Sequence, residues 1–236
     1  MKFKVDQKIF AKWPEVRIGV LVILGMDNTK NGDKVLALLR EEEKKQNQIL
    51  QTVDFGALPE TAEWRQVYEQ FSSKPRDFRS SVESLLRRVR TNNPLPSINP
   101  LVDLYNYLSI KHYLPAGAED LDKVVGDIEL TFATGEEKGK YIGAETEENC
   151  YPGEVIYKDD QGFICRRWNW REGDRTKIEA TTRNAVLVQE ALPAVSEEKF
   201  NQALSEAKSL VENFLSGSTI VKILRENALE LEWEKK

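Results

Sequence analysis

The chain has 236 residues, 40% of them hydrophobic and 31% charged, so it is long and apolar enough to bury a core and is not disordered by composition. A formal net charge of −5 excludes a surface that is basic throughout and leaves room only for a local basic patch. The one histidine, His112, excludes multi-histidine zinc sites, and two cysteines without paired-motif spacing, Cys150 and Cys165, exclude a disulfide framework and suit a reducing cytoplasm.

In chain order, the charged start Met1–Asp6 does not read as a signal peptide. Phe3–Phe10 and Ile18–Leu24 are strand-like, and the second is too short to span a bilayer. A helix is expected from about Gly32 to Gln48, with its charged second half on a solvated face. A further helix runs from about Thr61 to Phe71 and stops at Lys74-Pro75. Asp77–Arg90 has Phe78, Val82, Leu85, Leu86 and Val89 at helical spacing. Its other side carries Arg79, Arg87, Arg88 and Arg90, which suit either a phosphate backbone or a solvated helix face.

Asn99 is the expected N-cap of the next helix, with Pro100 at its first position and Leu101, Leu104, Tyr105 and Leu108 as its buried stripe. His112 lies near the end of that helix, where a helix-end role is favoured over a catalytic one. Leu114–Ala118 reads as a turn of small residues. Strands are expected at Val125–Ala133, Gly153–Lys158 and Phe163–Trp170, with Asp159–Gly162 as a hairpin loop. Ser196 caps a helix to about Leu215, with Gly217 just beyond it. Ser218–Leu224 and Leu229–Trp233 close the chain as strands. The fold class is α+β: a mixed or antiparallel sheet core flanked by helices, with an N-terminal α/β portion, read as one domain over residues 1–236.

The densest chemistry is Cys165-Arg166-Arg167-Trp168-Asn169-Trp170-Arg171. As a strand, it would set Arg166, Trp168 and Trp170 on one face and Cys165, Arg167, Asn169 and Arg171 on the other. Such faces suit a ligand with a flat group and an anionic group, or else a core strand whose arginines pair with carboxylates. Neither common Gly-rich phosphate loop occurs, and no cofactor or metal is expected.

Ile98-Asn99-Pro100-Leu101-Val102-Asp103-Leu104-Tyr105-Asn106-Tyr107 resembles a segment of the B3/B4 domain of the bacterial phenylalanyl-tRNA synthetase beta subunit. The loop Pro115–Lys123 resembles the block that follows it there, at the same spacing, and Pro152–Asp159 resembles a later strand. Arg166–Arg171 with Asp174-Arg175-Thr176-Lys177-Ile178 looks like a block found in free-standing B3/B4 domain proteins. The resemblance covers roughly residues 70–225, with residues 1–70 a strand-helix portion packed on that domain.

That resemblance implies a tRNA-binding protein in the cytoplasm, with no membrane association, whose relatives edit tyrosine mistakenly attached to phenylalanine tRNA. By position, the family's Thr-Asn pair falls on Tyr105 and Asn106, its loop histidine on Gly117, and its editing glutamate around Val188 or Glu190. The implied activity is a trans-editing deacylase of mischarged aminoacyl-tRNA. The alternatives are a non-catalytic RNA-binding module and an amino-acid-binding protein using the same pocket. Asn106 and Arg167 are the candidate catalytic residues. Tyr105, Asn106, Gly117, Ala118, Arg166 and Arg167 are candidate contacts to the charged tRNA end, as are Trp168, Asn169, Arg171 and Arg175. Arg79, Arg87, Arg88 and Arg90 are candidates for the tRNA backbone. Ester hydrolysis needs only a positioned water and donors to the carbonyl oxygen, which fits a chain without a triad.

Overall fold

The computed structural model describes residues 1–71 and 73–234. β1 (Lys2–Val5), α1 (Gln7–Lys12) and β2 (Arg17–Leu24) lead into four helices: α2 (Gly32–Leu50), α3 (Pro59–Glu69), α4 (Ser81–Arg90) and α5 (Pro100–His112). The strands β3 (Ala116–Asp120), β4 (Ile128–Phe132), β5 (Lys138–Gly139), β6 (Glu148–Asn149), β7 (Val155–Asp159), β8 (Gly162–Arg166), β9 (Arg171–Glu172) and β10 (Ala185–Ala191) follow. The chain closes with α6 (Glu197–Leu215), β11 (Ser218–Leu224) and β12 (Glu230–Glu232). Mixed sheets with flanking helices make the fold α+β.

The strands form two main sheets, ordered β12-β1-β4-β7-β8-β9 and β11-β2-β10-β3, and a small β5-β6 pair. Among the described residues only the β1–β4 pairing is parallel. Register decides which side chains meet. Phe3 pairs Ile128, Tyr157 pairs Cys165, and Cys165 pairs Glu172, so these side chains share one face of the first sheet. In the second sheet Gly117 pairs Val188 and Glu119 pairs Val186, which aligns Gly117, Glu119, Val188 and Glu190 on one face. The two faces meet across the site described below.

Local chemistry explains the helix ends. Asn99 accepts from the Val102 N–H at 3.1 Å and itself receives Asn28 Nδ2 at 3.0 Å, so the start of α5 is fixed twice. Tyr113 closes that helix in the left-handed region at φ 59°. Ser196 caps α6 and Ser80 caps α4 through their hydroxyl groups. No helix among the described residues is long and apolar enough to cross a membrane. Cys150 and Cys165 are both buried free thiols.

Five expectations change. Phe3–Phe10 is not one strand. Asp6 accepts from the Lys8 N–H and turns Gln7–Lys12 into α1. The charged half of α2 is not simply solvated, because Glu42, Glu43 and Gln46 are buried. There Glu43 accepts from the Leu95 N–H at 2.6 Å and from Arg40. The helix expected from Asp77 starts only at Ser81, after the Ser80 cap. Leu114–Ala118 is not a turn: Ala116–Asp120 pairs with β10 as β3, because small residues let an edge strand lie close to the opposite sheet.

Fifth, the strand expected over Phe163–Trp170 ends at Arg166. Arg167 and Trp168 both turn left-handed, at φ 48° and 66°, and the Trp170 N–H closes the turn onto the Arg166 carbonyl at 3.1 Å. Alternation therefore fails beyond Arg166, and Trp168 and Trp170 do not share a face. A bulky residue with positive φ is strained by about 1–3 kcal/mol. Here the indole is fully buried, with ring centroids 4.9 Å from Trp13 and 5.2 Å from Trp64, and that packing offsets the strain.

Candidate functional site

The tight turn at Arg167–Trp168 sends the next side chain, Asn169, between the two sheets. Its amide nitrogen donates to Glu190 Oε2 at 2.5 Å, and its amide oxygen accepts from the Tyr68 hydroxyl at 2.9 Å. Its backbone carbonyl accepts from the Ser81 N–H at 3.0 Å, at the first turn of α4. One residue thus ties α3, α4 and β10 to the rim of a cavity.

Behind Asn169 lies a narrow chamber of about 40 Å³ between the sheets. Glu119, Glu172 and Glu190 line it, with Tyr157, Cys165 and the indole of Trp168. Tyr157 donates its hydroxyl to Glu190 Oε1. Burial pushes the Glu190 carboxyl up to about 7, against the pull of the donors Tyr157, Asn169 and Trp168. Burial raises Glu119 first and the neighbouring Glu172 carboxylate raises it further; Glu172 is raised by burial too. Two carboxyl groups this close hold a proton that either alone would release.

In front of Asn169 lies a vestibule of about 230 Å³, lined by Ser84, Tyr105, Asn106, Trp170, Arg171 and Glu172 among others. Ser81, Ala116, Asn169 and Glu172 border both spaces and form the neck between them. A wider groove of about 600 Å³ adjoins at Tyr105, Ala118 and Glu172, with Ile98, Ile142 and Lys177 along it. Glu172 thus stands where all three spaces meet. Gly117 is required beside it: a Cβ there would lie 2.3 Å from Glu172 Oε1.

The sequence-derived candidates separate into two groups. Tyr105, Asn106, Gly117, Ala118, Trp168, Asn169 and Arg171 line these spaces. Burial pushes the phenol of Tyr105 up and keeps it neutral. Arg166, Arg167 and Arg175 do not line them. Arg166 grips Glu154 with two bonds, at 2.9 and 2.6 Å, and also pairs with Glu148. Arg167 donates to Ser73 Oγ at 2.7 Å and stacks over Phe78 at 3.7 Å. Arg175 binds Asp159 at 2.7 Å and the Lys123 carbonyl at 2.8 Å.

On α4, Arg87 holds the buried Glu83 at 2.7 Å and Arg79 approaches it at 3.7 Å. Arg87 and Arg90 also sit over the Phe55 ring. Arg88 is exposed and its side chain bonds the Pro94 carbonyl at 3.0 Å, one turn beyond Ser84 on the helix face that borders the vestibule. His112 ends α5 away from the cavities, with Nε2 2.7 Å from Glu206 Oε2. Among the described residues no group of three or more His, Cys, Asp or Glu is placed to hold a metal ion.

Glu119, Glu172 and Tyr157 were not among the sequence candidates. Glu172 carried a signal, since it directly follows the Arg-Trp block. Glu119 carried none, because nothing local marks Ala116–Asp120 as a strand facing another sheet.

The B3/4 domain family model matches residues 63–216. A crystal structure of an N-terminal fragment of the phenylalanyl-tRNA synthetase beta subunit from Pyrococcus horikoshii is similar to the chain at 14% identity and a TM-score of 0.42. The likeness covers 51% of this chain and 41% of that one, so the chain spans less than half of the fragment. No curated protein matches.

Proposed function

Because the chain belongs to the B3/4 domain family, we propose that it binds tRNA and hydrolyses the ester of a mischarged aminoacyl-tRNA in trans. The observation that carries this reading is the neck. Asn106 and Arg171 line the vestibule, and Glu172 stands between it and the narrow chamber. The ester carbonyl would sit at the neck, with the Asn106 amide and the Arg171 guanidinium as donors to its oxygen. Glu172, which stands at the neck beside the more strongly raised Glu119, would take a proton from a water. The water oxygen bonds to the carbonyl carbon and the bond to the ribose oxygen breaks. The proton passes from Glu172 to that oxygen, leaving a free amino acid and an uncharged tRNA. The 600 Å³ groove, with Ile98 and Ile142 as apolar walls, would hold the terminal nucleoside, and exposed Arg88 would meet a backbone phosphate. The test is a panel of mischarged tRNAs incubated with purified protein and no ATP. Hydrolysis above the protein-free rate is expected, with a loss of about 10²-fold in Asn106→Ala. Equal decay with and without protein overturns the activity.

One observation favours a second reading, RNA binding without catalysis: Gly117 stands where the resemblance sets a histidine. Filter binding at two salt concentrations separates the two. Salt-sensitive tRNA binding without deacylation would favour the second, and salt-independent or absent binding would count against both.

A further inference from the structure

Two carboxyl groups meet beside the neck with no cation between them. On β3, Glu119 and Gly117 share the face that looks toward the first sheet. Glu172 enters from β9, opposite Cys165 of β8, and its Oε1 rests 2.3 Å from where a Cβ on Gly117 would stand. That approach brings its carboxyl group beside Glu119. The two carboxyl groups hydrogen-bond each other, and the Cys165 thiol donates to Glu172 as well. Oε2 of each is buried and receives no hydrogen bond from any described N–H group. Arg175 draws on Glu119 only from a distance and is itself bonded to Asp159 and the Lys123 carbonyl.

Two carboxylates face to face without a counter-ion do not both ionise, so the pair holds one proton. The surroundings decide where it sits. Glu119 lies between the sheets and is only 6% exposed. Glu172 borders the vestibule and the wider groove, and it has two donors, the Glu119 carboxyl and the Cys165 thiol. A charge therefore costs more on Glu119 than on Glu172. Most other groups that face the pair stay neutral. Burial pushes up the Cys165 thiol and the phenols of Tyr105 on α5 and Tyr157 on β7. Thr176 adds a hydroxyl beside Glu119. Glu190 on β10 is a further acid near the pair, and burial pushes its carboxyl up to about 7.

We propose that Glu119 is a positioning residue for Glu172: it keeps its proton, donates it in a hydrogen bond, and leaves Glu172 as the ionised carboxylate at the neck. The inference rests on the deacylase reading for the work that Glu172 does. A protonated Glu119 fixes which way the Glu172 carboxylate points and steadies its charge, as an O–H donor does for an ionised acceptor. Glu119 itself does not touch the ester. In each turnover the proton taken from water goes to Glu172 and on to the ribose oxygen, and the Glu119 proton stays where it is.

The experiment follows carboxyl protonation by infrared spectroscopy and deacylation rate against pH, both on the full chain. The carbonyl stretch of a protonated carboxyl should persist at about pH 9 in the wild type, where ordinary carboxyls and Glu190 are ionised. It should vanish in Glu119→Gln. Its absence from the wild type, or its survival in that variant, overturns the proposal. Glu119→Leu removes the donor, so buried Glu172 holds a proton of its own more tightly. The acid limb of the rate profile should then move up by about one pH unit, an about tenfold loss of rate below it. Glu119→Gln, whose amide still donates, should bring the limb back to within about 0.3 unit of the wild type. A limb that stays in place in folded Glu119→Leu, or that Glu119→Gln fails to restore, overturns the proposal, because a merely structural residue would treat the two alike. A limb that moves in Glu190→Gln instead belongs to Glu190 and also overturns it. Decay of every charged tRNA at the protein-free rate overturns the deacylase reading, and the infrared measurement then decides the Glu119 proton alone.

Discussion

The protein buries carboxylates in two ways, and the contrast separates its scaffold from its site. On α4, Glu83 is held bidentately by Arg65, at 2.9 and 2.7 Å, with Arg87 also at 2.7 Å. These guanidinium groups hold its carboxyl below the usual range even though burial pushes the other way. Glu154 is gripped in the same manner by Arg166. Between the sheets, Glu119, Glu172 and Glu190 meet no cation at hydrogen-bonding distance among the described residues, and all three are pushed up. The fold has arginines to spare, yet directs Arg166 and Arg167 away from the chamber. Neutralising a buried carboxylate stabilises the native state; leaving one without a counter-ion keeps it able to exchange protons or receive a guest.

The sharpest way to break the contrast is to strip a scaffold carboxylate of its closest cation. Arg166→Met should destabilise the protein by about 3–5 kcal/mol, because buried Glu154 loses both of its close guanidinium bonds and keeps only backbone donors and the Arg167 guanidinium at 3.9 Å. Urea unfolding measures it, and a loss below about 1 kcal/mol would equate the two regions.

Next comes pH. Folded Glu190 keeps its proton up to about pH 7, whereas the unfolded carboxyl releases it near 4.5. Its contribution is whole below pH 4.5 and declines as pH rises to 7, by about 3 kcal/mol. Glu190→Gln should flatten that slope in a series of denaturation curves. Glu83 has the opposite sign: its contribution is present above its unfolded range and is lost on acidification. Glu83→Gln should therefore lower stability at pH 7 and reduce the acid-side loss. The same slope in both variants would erase the distinction.

A smaller effect is expected at Gly117. Gly117→Ala drives a methyl group into Glu172 and should cost about 1–3 kcal/mol, with loss of any deacylation. Retained activity would take Glu172 out of the proposed chemistry. Smallest in stability is Arg88→Ala, which should change it by no more than about 0.5 kcal/mol. It should instead lower the slope of tRNA affinity against salt by about one.

Much of the scaffold was legible locally. Asn99-Pro100, Ser196 and the apolar run Ile18–Leu24 carry their own capping or burial signals, and all three elements form where those signals sit. The Arg-Trp block was legible as important but misread as a strand, because its left-handed turn is imposed by burying Trp168 against Trp13 and Trp64. No propensity of arginine or tryptophan announces positive φ. Asn106, Asn169 and Arg171 were legible as candidates and line the cavities, whereas Arg166, Arg167 and Arg175 were equally conspicuous and serve ion pairs or backbone bonds.

By itself, the sequence determined an α+β protein with a B3/4 domain, its helix caps, and the short stretch where tryptophan and arginine concentrate. Those properties depend on neighbours a few residues away. Which carboxylates would stand without a counter-ion was decided only by tertiary structure. Glu119, Glu172 and Glu190 are 53, 18 and 71 residues apart in the three pairings and meet only through strand register. A one-residue slip in β3 or β10 would turn Glu119 or Glu190 to the other face of the sheet.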